Sequence, residues 1–279
     1  RIATSGDDNV VRVWDFATTR ELQRFTGHNS PVLGVAFAAD NKTLVSGSAD
    51  KSARIWTVAA TKIIVADETR VGDVAFLPDG SLFATGGADM LVKLWDMEGA
   101  MVKQFAGAQS SVQRIDIRAD ATQLAAADID GRLLLWNIAD GALQHTIETG
   151  AVINQLAYSA DNRKTALAGA DNKLRVFDPV DGLPLLELTA AMPLTTVAFA
   201  SSQSDIITGG EDKMVRRWAY ASPTVLQEFS GHTGPVYSIT TSPDGMMFAS
   251  WSGDHTIRIW NVSDGTQVKQ LTGHSGAVY

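Results

Sequence analysis

The sequence predicts an all-β fold built from repeated hairpin units. The stretch TLVSGSADKSARIWTV at residues 43–58 alternates small, β-branched and aromatic residues around Gly and Asp, which is typical of two short strands joined by a tight turn. An Asp followed six residues later by an aromatic recurs at Asp8/Trp14, Asp50/Trp56, Asp89/Trp95, Asp130/Trp136, Asp171/Phe177, Asp212/Trp218 and Asp254/Trp260. Successive aromatics are 42, 39, 41, 41, 41 and 42 residues apart. This period indicates that each copy is one supersecondary unit.

Composition narrows the possible classes of protein. One copy is too small to bury a core alone, so residues 1–279 are expected to form a single domain. The net charge of −8 disfavours nucleic acid as a partner, because phosphate binding usually needs a basic face. No apolar run reaches 18 residues, which predicts a soluble protein without a membrane partner. Cysteine is absent, which excludes disulfides but leaves the compartment open: cytoplasmic by default, with an extracytoplasmic location also compatible.

The repeats resemble a known family. GSADKSARIW, ATGGADMLVKLWD and GHTGPVYSITTSPDGMMFASWSGDHTIRIWNV are similar to WD40 (WD-repeat) motifs, and the likeness extends over essentially all 279 residues. The resemblance implies a seven-bladed β-propeller with four antiparallel strands per blade. It also implies use as a platform for protein interactions.

The repeats follow one order along the chain. Residues 1–27 supply three strands of a first blade, IATSG, VVRVWDF and ELQRFT; full units then begin at PVLGVAF, VGDVAFL, VQRIDIR, INQLAYS, TTVAFAS and PVYSITT. The final SGAVY is interpreted as an innermost strand that joins the N-terminal blade and closes the ring. The circular spacing lacks about eight residues, which predicts a fragment of a longer chain, with a shortened seventh repeat as the alternative.

The resemblance also implies structural tetrads. In the family, a His before the innermost strand, a Ser or Thr in the second strand, the turn Asp and the Trp form a hydrogen-bonded set. Carried over by position, the set is complete three times: His28, Ser46, Asp50, Trp56; His232, Ser250, Asp254, Trp260; and His274, Thr4, Asp8, Trp14. The last set joins the two ends of the chain. Blades three to six depart from the pattern, and we hypothesise that the complete sets stabilise the region where the ring closes.

No motif indicates catalysis, a cofactor or a metal site. His145 and His255 are interpreted as surface residues, and no His stands at metal-ligand spacing from another ligand. Residues 128–131, Asp-Ile-Asp-Gly, resemble the start of a calcium loop, but Leu133, Leu134 and Leu135 follow where further ligands would be needed, so a turn is favoured. A protein that is not an enzyme and binds no cofactor is predicted.

In the family, partners usually dock on the rim of the channel. By register, the rim residues lie just before the innermost strand, at its second position, and just before the turn Asp. The candidate partner-binding residues are Tyr237, Tyr279, Leu33, Pro31, Pro235, Arg70, Gln113 and Asn154. Tyr237, Tyr279 and Leu33 fall on neighbouring blades of the predicted ring, and tyrosine is a favoured interface anchor. The alternative is that these side chains only fill the channel mouth.

We therefore expect a monomeric, non-catalytic interaction scaffold that binds a peptide or a partner domain, including other domains of the same chain. One rival is a propeller enzyme or small-ligand binder using the central channel, for which Asp73 and Asp116 are the only acids placed nearby. Another is an inert structural spacer.

Two residues break the repeat pattern. Trp251 stands where the other copies have Ser, Gly or Ala, and packing is favoured over a place in an exposed aromatic arc. Arg217 replaces an apolar residue, and it is expected to form a structural ion pair, with Glu211 and Glu228 as open alternatives.

Overall fold

The chain forms two compact units of β-structure, Arg1–Gly150 and Ala151–Tyr279. The computed structural model describes residues 1–15, 18, 20–40, 42–57, 61–200, 205–221, 224–242 and 244–278, and these ranges contain strands and turns without a helix. Each unit is a series of antiparallel sheets, here termed blades one to seven in chain order. No helix in the described ranges could therefore span a membrane.

The first unit holds blades one to four. Blade one contains β1 (Ile2–Thr4), β2 (Val11–Trp14) and β3 (Glu21–Phe25). Blade two contains β4 (Val32–Phe37), β5 (Leu44–Ser48), β6 (Ser52–Trp56) and β7 (Thr61–Val65). Blade three contains β8 (Val71–Phe76), β9 (Leu82–Gly87), β10 (Val92–Asp96) and β11 (Met101–Phe105). Blade four contains β12 (Val112–Ile117), β13 (Gln123–Asp128), β14 (Arg132–Asn137) and β15 (Leu143–Glu148).

The second unit holds blades five to seven. Blade five contains β16 (Ile153–Tyr158), β17 (Thr165–Gly169), β18 (Lys173–Phe177) and β19 (Pro184–Thr189). Blade six contains β20 (Leu194–Phe199), β21 (Asp205–Gly210), β22 (Val215–Ala219) and β23 (Val225–Phe229). Blade seven contains β24 (Val236–Thr241), β25 (Met247–Ser252), β26 (Ile257–Asn261) and β27 (Gln267–Leu271).

The predicted fold class is confirmed: the chain is all-β, and its sheets are the seven antiparallel blades of a β-propeller. Residues 1–27 supply the three strands expected for blade one. Closure of the ring by SGAVY stays a prediction, as does a single domain over residues 1–279. Tyr279, the last residue of SGAVY, lies outside the described residues.

The turn between the second and third strands repeats in every blade. The residue after the turn Asp adopts a positive φ, as in Asn9 (62°), Lys51 (75°) and His255 (67°). In most blades the Asp Oδ1 accepts the backbone N–H two residues on; for Asp50 and Ser52 the distance is 3.1 Å. This Asx-type turn explains why an Asp is needed at the same place in each repeat.

Blade four keeps this turn but uses a different acid to accept its backbone N–H groups. The accepting carboxylate belongs to Asp128, whose Oδ1 takes the N–H groups of Asp130 and Arg132 at 3.1 and 2.9 Å. Asp130, which the repeat pattern aligns with the other turn acids, is exposed. Gly131 takes the positive φ. The calcium-like stretch is thus a turn, and Arg132 occupies the Asp128 carboxylate with an N–O distance of 3.0 Å.

The hydrophobic cores lie between consecutive blades within each unit. Leu94 and Phe105 of blade three pack in one cluster with Ile115 and Trp136 of blade four. In the second unit, Phe229 of blade six packs in a cluster with blade seven side chains. The second strands, such as β5 and β13, are buried along their whole length, so apolar residues pack consecutive blades of a unit against each other.

Candidate partner-binding site

One backbone hydrogen bond organises the predicted rim of every four-stranded blade. The residue before the turn Asp donates its N–H to the carbonyl of the residue that precedes the innermost strand. The pairs are Ala49 to Pro31 (3.0 Å), Ala88 to Arg70 (3.0 Å), Ile129 to Ser111 (3.0 Å), Ala170 to Val152 (2.9 Å), Glu211 to Pro193 (3.1 Å) and Gly253 to Pro235 (2.9 Å). The residue before the turn Asp and the residue before the innermost strand therefore lie at the same edge of each blade. We use the term rim residues for these two positions and for the second residue of the innermost strand.

The second residue of the innermost strand links blades in the second unit. The Asn154 amide donates from Nδ2 to the Leu194 carbonyl of the next blade at 2.7 Å. Thr195 donates in the same way to the Val236 carbonyl. In the first unit Gly72 occupies this position, and a Cβ there would lie 2.6 Å from the Val112 carbonyl oxygen. Asn154, predicted as a partner contact, thus has a structural hydrogen bond.

Tyr237 presents a different surface at the same position of blade seven. Its ring is half-buried and lies against the Gly253 backbone, where a Cβ would approach the ring at 3.1 Å. Pro235 contacts the same glycine position at 3.4 Å. Tyr237, Pro235 and Gly253 therefore form a small aromatic and proline cluster at the rim of blade seven.

The other candidates have mixed surroundings. Pro31, Leu33, Arg70 and Gln113 are all partly exposed in the first unit. The Arg70 backbone N–H donates to Asp67 Oδ1 at 2.6 Å. Tyr279 lies outside the described residues. The union of these residues with Tyr237 in one surface stays a prediction.

Blades two and seven each contain a connected tetrad. His28 contacts Asp50 Oδ2 through Nδ1 at 2.7 Å and Ser46 Oγ through Nε2 at 2.8 Å, and Trp56 Nε1 donates to the same Ser46 oxygen at 2.7 Å. In blade seven the corresponding distances are 2.9, 2.7 and 2.8 Å for His232–Asp254, His232–Ser250 and Trp260–Ser250.

The pKa shifts of the tetrad residues indicate which of them carry a charge. Burial lowers the pKa of His28 and of His232, and this outweighs the opposing hydrogen bond and charge of the facing aspartate. Burial acts to raise the pKa of Asp50, but hydrogen bonds from Ser52, His28 and Asn29 bring it to about 2. A neutral histidine therefore faces an ionised aspartate.

The third set divides between the two units. Trp14 Nε1 donates to Thr4 Oγ1 at 2.9 Å, and Arg12 donates to Asp8 Oδ2 at 2.7 Å. His274 is buried in the second unit. Its contact with the first-unit residues stays a prediction.

Comparisons with known proteins agree with this geometry. A family model for the WD40 repeat (WD domain, G-beta repeat) matches residues 19–57, 61–96 and 223–261. Those segments cover β3 to β6, β7 to β10 and β23 to β26. The chain therefore contains WD40 repeats.

Curated relatives match over short segments. Pre-mRNA-processing factor 17 of Saccharomyces cerevisiae is 35% identical over 63 residues, 22% of this chain and 14% of the relative. The human serine-threonine kinase receptor-associated protein is 30% identical over 73 residues, 26% of this chain and 21% of the relative. Transcription initiation factor TFIID subunit 5 of Caenorhabditis elegans is 32% identical over 68 residues, 24% of this chain and 10% of the relative. The matches thus span less than a quarter of each relative.

Blades three, four and six lack the complete tetrad but still supply an acceptor for the indole N–H of the landmark tryptophan. Trp95 and Trp218 donate to Thr85 and Thr208 at 2.9 and 2.7 Å. In blade four, where alanine replaces the hydroxyl residue, Trp136 donates to the Ala106 carbonyl at 2.9 Å. The indole N–H is therefore satisfied in each of these blades, as burial of a polar group requires.

Asp67 occupies the histidine position of blade three, a substitution that sequence reasoning missed. Like His28 and His232, it stands 22 residues before the turn Asp of its blade. The side chain is buried, and its Oδ2 accepts the Asp89 N–H at 3.0 Å while Oδ1 accepts the Thr69 and Arg70 N–H groups. Burial acts to raise the pKa of Asp67, but these backbone hydrogen bonds lower it overall. The 22-residue spacing was the signal that could have identified it.

Arg217 forms an ion pair, but neither expected partner supplies the acid. Its Nε and Nη2 both lie 2.7 Å from Asp205 Oδ2, and Nη1 donates to the Val262 carbonyl at 3.0 Å. Glu228 pairs with Arg216 instead. The sequence interpretation was wrong about the partner. Ile207 lies opposite Arg217 in the β21–β22 pairing, and Asp205, two residues before Ile207 on the same face, reaches the guanidinium diagonally.

Trp251 is buried, with 4% of its surface exposed. In blades two, three and six a glycine at this position meets a valine of the next blade, so a Cβ on Gly47 would lie 2.7 Å from Val71 Cγ1. The aromatic side chain of blade seven is thus part of the interior and not of an exposed arc.

The two acids predicted near the channel, Asp73 and Asp116, have structural hydrogen bonds. Asp73 accepts the Val74 N–H through Oδ1 at 2.9 Å and the Ile115 N–H of the next blade through Oδ2 at 3.0 Å. Burial raises the pKa of Asp73, although Arg114 and these two N–H groups oppose the shift. Asp116 accepts the Ile117 N–H at 2.8 Å. Within the described part of the chain, no three His, Cys, Asp or Glu side chains are grouped as metal ligands.

Proposed function

We propose that this WD40-repeat protein is a non-catalytic interaction scaffold that binds a peptide or a partner domain through its rim residues. The observation that carries the proposal is the placement of Tyr237. Its ring lies against Gly253 beside Pro235 at the rim and keeps part of its surface exposed. Such an amphipathic ring is a favoured anchor for a partner.

The relatives support the protein-interaction class. One is described as receptor-associated and another as a subunit of a transcription initiation factor. Because the matched segments cover 21% and 10% of these relatives, they do not identify the partner of this chain. The proposed partner is therefore a protein or peptide of unspecified identity, bound by a monomeric propeller without nucleic acid or membrane.

The rival small-ligand or enzymatic function is less well supported by the described acids. Asp73 and Asp116 both accept backbone N–H groups, and Asp73 joins two blades. A general acid or base must reach the proton of its substrate. Carboxylates used to hold strands are poorly suited to that task.

The test is affinity capture with the full 279-residue chain, followed by identification of bound proteins. Three proteins of equal melting temperature are compared: the parent, Tyr237→Ala, and Tyr158→Ala. Tyr158 is a matched control because it is a partly buried tyrosine at the opposite end of an innermost strand, β16. A partner lost only from Tyr237→Ala supports the proposal. A partner retained by all three proteins places the binding surface elsewhere, and the absence of any partner favours the spacer or small-ligand function.

A further inference from the structure

The third strand of nearly every blade carries a cation two residues before the landmark aromatic. In blades five and six this cation has two acidic partners. Arg175 pairs with Asp171 at 2.6 Å and Glu187 at 3.2 Å, and Arg216 pairs with Asp212 at 2.6 Å and Glu228 at 2.8 Å. The first acid belongs to the turn, and the second lies directly opposite on the outer strand.

Arg54 of blade two has neither partner. The Oδ2 atom of the turn acid Asp50 contacts His28, whereas in blades five and six the turn acid pairs with the arginine. On the outer strand, the residue opposite Arg54 is Ile63, at the position of Glu187 and Glu228. No hydrogen bond or ion pair within the described residues engages the Arg54 guanidinium, and those residues include every Asp and Glu of the sequence.

The Arg54 guanidinium is nevertheless held in place. Its central carbon lies 5.8 Å from the centroid of the Trp56 ring, a cation–π distance. Its Nη1 also approaches Gly27, where a Cβ would lie only 2.7 Å away. Its Nε is buried without an acceptor. A positioned cation without a carboxylate is costly unless a further group satisfies it.

Two aliphatic side chains extend the surface beside this cation. Ile63 and Val65 are 56% and 77% exposed, whereas Ile64 between them is buried. Alternation along a strand puts Ile63 and Val65 on one face, and the Arg54–Ile63 pairing puts Arg54 on the same face. Blade five has Glu187 and Thr189 in place of these aliphatics. We term Arg54, Ile63 and Val65 the blade-two patch.

We propose that the blade-two patch is a second docking surface, which binds an acidic–aliphatic peptide segment of a partner protein lying across β6 and β7. A carboxylate of the segment takes the place of the missing outer-strand glutamate and accepts from Arg54. Aliphatic side chains of the segment cover Ile63 and Val65. An arginine guanidinium can donate two parallel hydrogen bonds to one carboxylate. Charge complementarity therefore favours an acidic segment as the occupant of the patch.

The overall charge makes this contact selective. At a net charge of −8 the chain repels acidic partners in general, so an acidic segment binds only where a local cation is available. Binding at the patch therefore depends on Arg54 itself. This surface is separate from the rim residues, so a partner can occupy it while Tyr237 is mutated.

The test uses the 279-residue chain and a capped eight-residue peptide that alternates valine and glutamate, with a valine–glutamine peptide as its control. Binding is followed by NMR of the isoleucine and valine methyl groups. The variants are Arg54→Gln, Ile63→Glu, which restores the outer-strand acid of blades five and six, and Leu185→Glu. Leu185 is a matched control because it is an exposed aliphatic of outer strand β19, in a blade whose arginine is already paired.

Saturable shifts at Ile63 and Val65 are expected with the glutamate peptide. The affinity should fall on the order of tenfold or more for the glutamine peptide, and by a similar factor in Arg54→Gln and Ile63→Glu, with Leu185→Glu unchanged. The proposal is overturned by an absence of shifts up to about 1 mM peptide, by equal binding of the glutamine peptide, or by binding that survives Ile63→Glu. Self-association of the chain that protects the same methyl groups would also overturn it, since the occupant would then be a second copy.

Discussion

His28 and Asp50 are joined through the histidine Nδ1 and the aspartate Oδ2 at 2.7 Å, and this contact determines how the whole blade-two tetrad is arranged. Trp56 Nε1 can only donate, so Ser46 Oγ accepts from it. The Ser46 hydroxyl then donates to His28 Nε2, and the Nδ1–H of a neutral imidazole donates to Asp50. The geometry thus selects one tautomer, in agreement with the lowered pKa of His28.

Ser46→Ala should lower the free energy of unfolding by about 2 kcal/mol. The change leaves the buried Trp56 donor and the His28 Nε2 without their shared partner, and an unsatisfied buried polar group costs about 1–3 kcal/mol. Urea unfolding followed by tryptophan fluorescence measures the difference. Thr233→Ala is the control, because Thr233 is exposed and its described contact uses the backbone N–H; equal losses in the two variants would contradict a structural role for the tetrad.

Stability should fall in two steps as the pH is lowered. The pKa of His28 and of His232 is below the ordinary value of 6.5, so the unfolded chain binds more protons and stability declines from about pH 6.5 downward. The pKa of Asp50 and of Asp254 is about 2, below the ordinary 3.8, so their contribution is complete above pH 3.8 and is lost as the pH approaches 2. Melting temperatures measured from pH 8 to pH 2 test both steps.

A double variant separates the two steps. In His28→Asn/His232→Asn the decline that begins near pH 6.5 should become shallower, because two groups that resist protonation in the folded state are gone. A decline of unchanged size in this variant would show that other groups cause it.

Arg217→Met should destabilise the second unit by about 2 kcal/mol, because it leaves the Asp205 carboxylate buried without its cation. The double variant Arg217→Met/Asp205→Asn should recover part of the loss, since it also removes the buried negative charge. Chemical denaturation of the parent, Arg217→Met, Asp205→Asn and the double variant gives the coupling free energy between the two side chains. Glu228→Gln should change stability by less than about 0.5 kcal/mol, as expected for an exposed pair; a loss as large as that of Arg217→Met would contradict the assignment of Asp205.

The hypothesis that tetrads stabilise ring closure predicts that His274→Ala lowers the melting temperature more than a surface histidine change. His274 is buried, and its loss is expected to cost about 1–2 kcal/mol. His255→Asn is the suitable control. His255→Ala is not, because His255 has a φ of 67°, a conformation that asparagine tolerates and alanine does not. Equal melting temperatures for the two variants would remove the support for the hypothesis.

The repeat pattern, together with the family resemblance that it carries, was sufficient for the fold class and for the composition of the tetrads in blades two and seven. Both depend on local spacing: an Asp that caps a turn and an aromatic six residues later must recur wherever the same hairpin recurs. Asp67 was not predicted, because the family pattern has histidine at this position, and here a carboxylate accepts backbone N–H groups of the turn instead.

The sequence by itself determined the seven repeats, the strand order and the positions of the buried landmarks, because these follow from alternation and turn chemistry within about 40 residues. The tertiary structure decided which charges meet. Arg217 pairs with Asp205 and Arg54 lies opposite Ile63 because strand register and side-chain direction bring together residues separated in the chain. Ion pairs depend on distances of a few ångströms between such residues, and spacing along the sequence does not specify them.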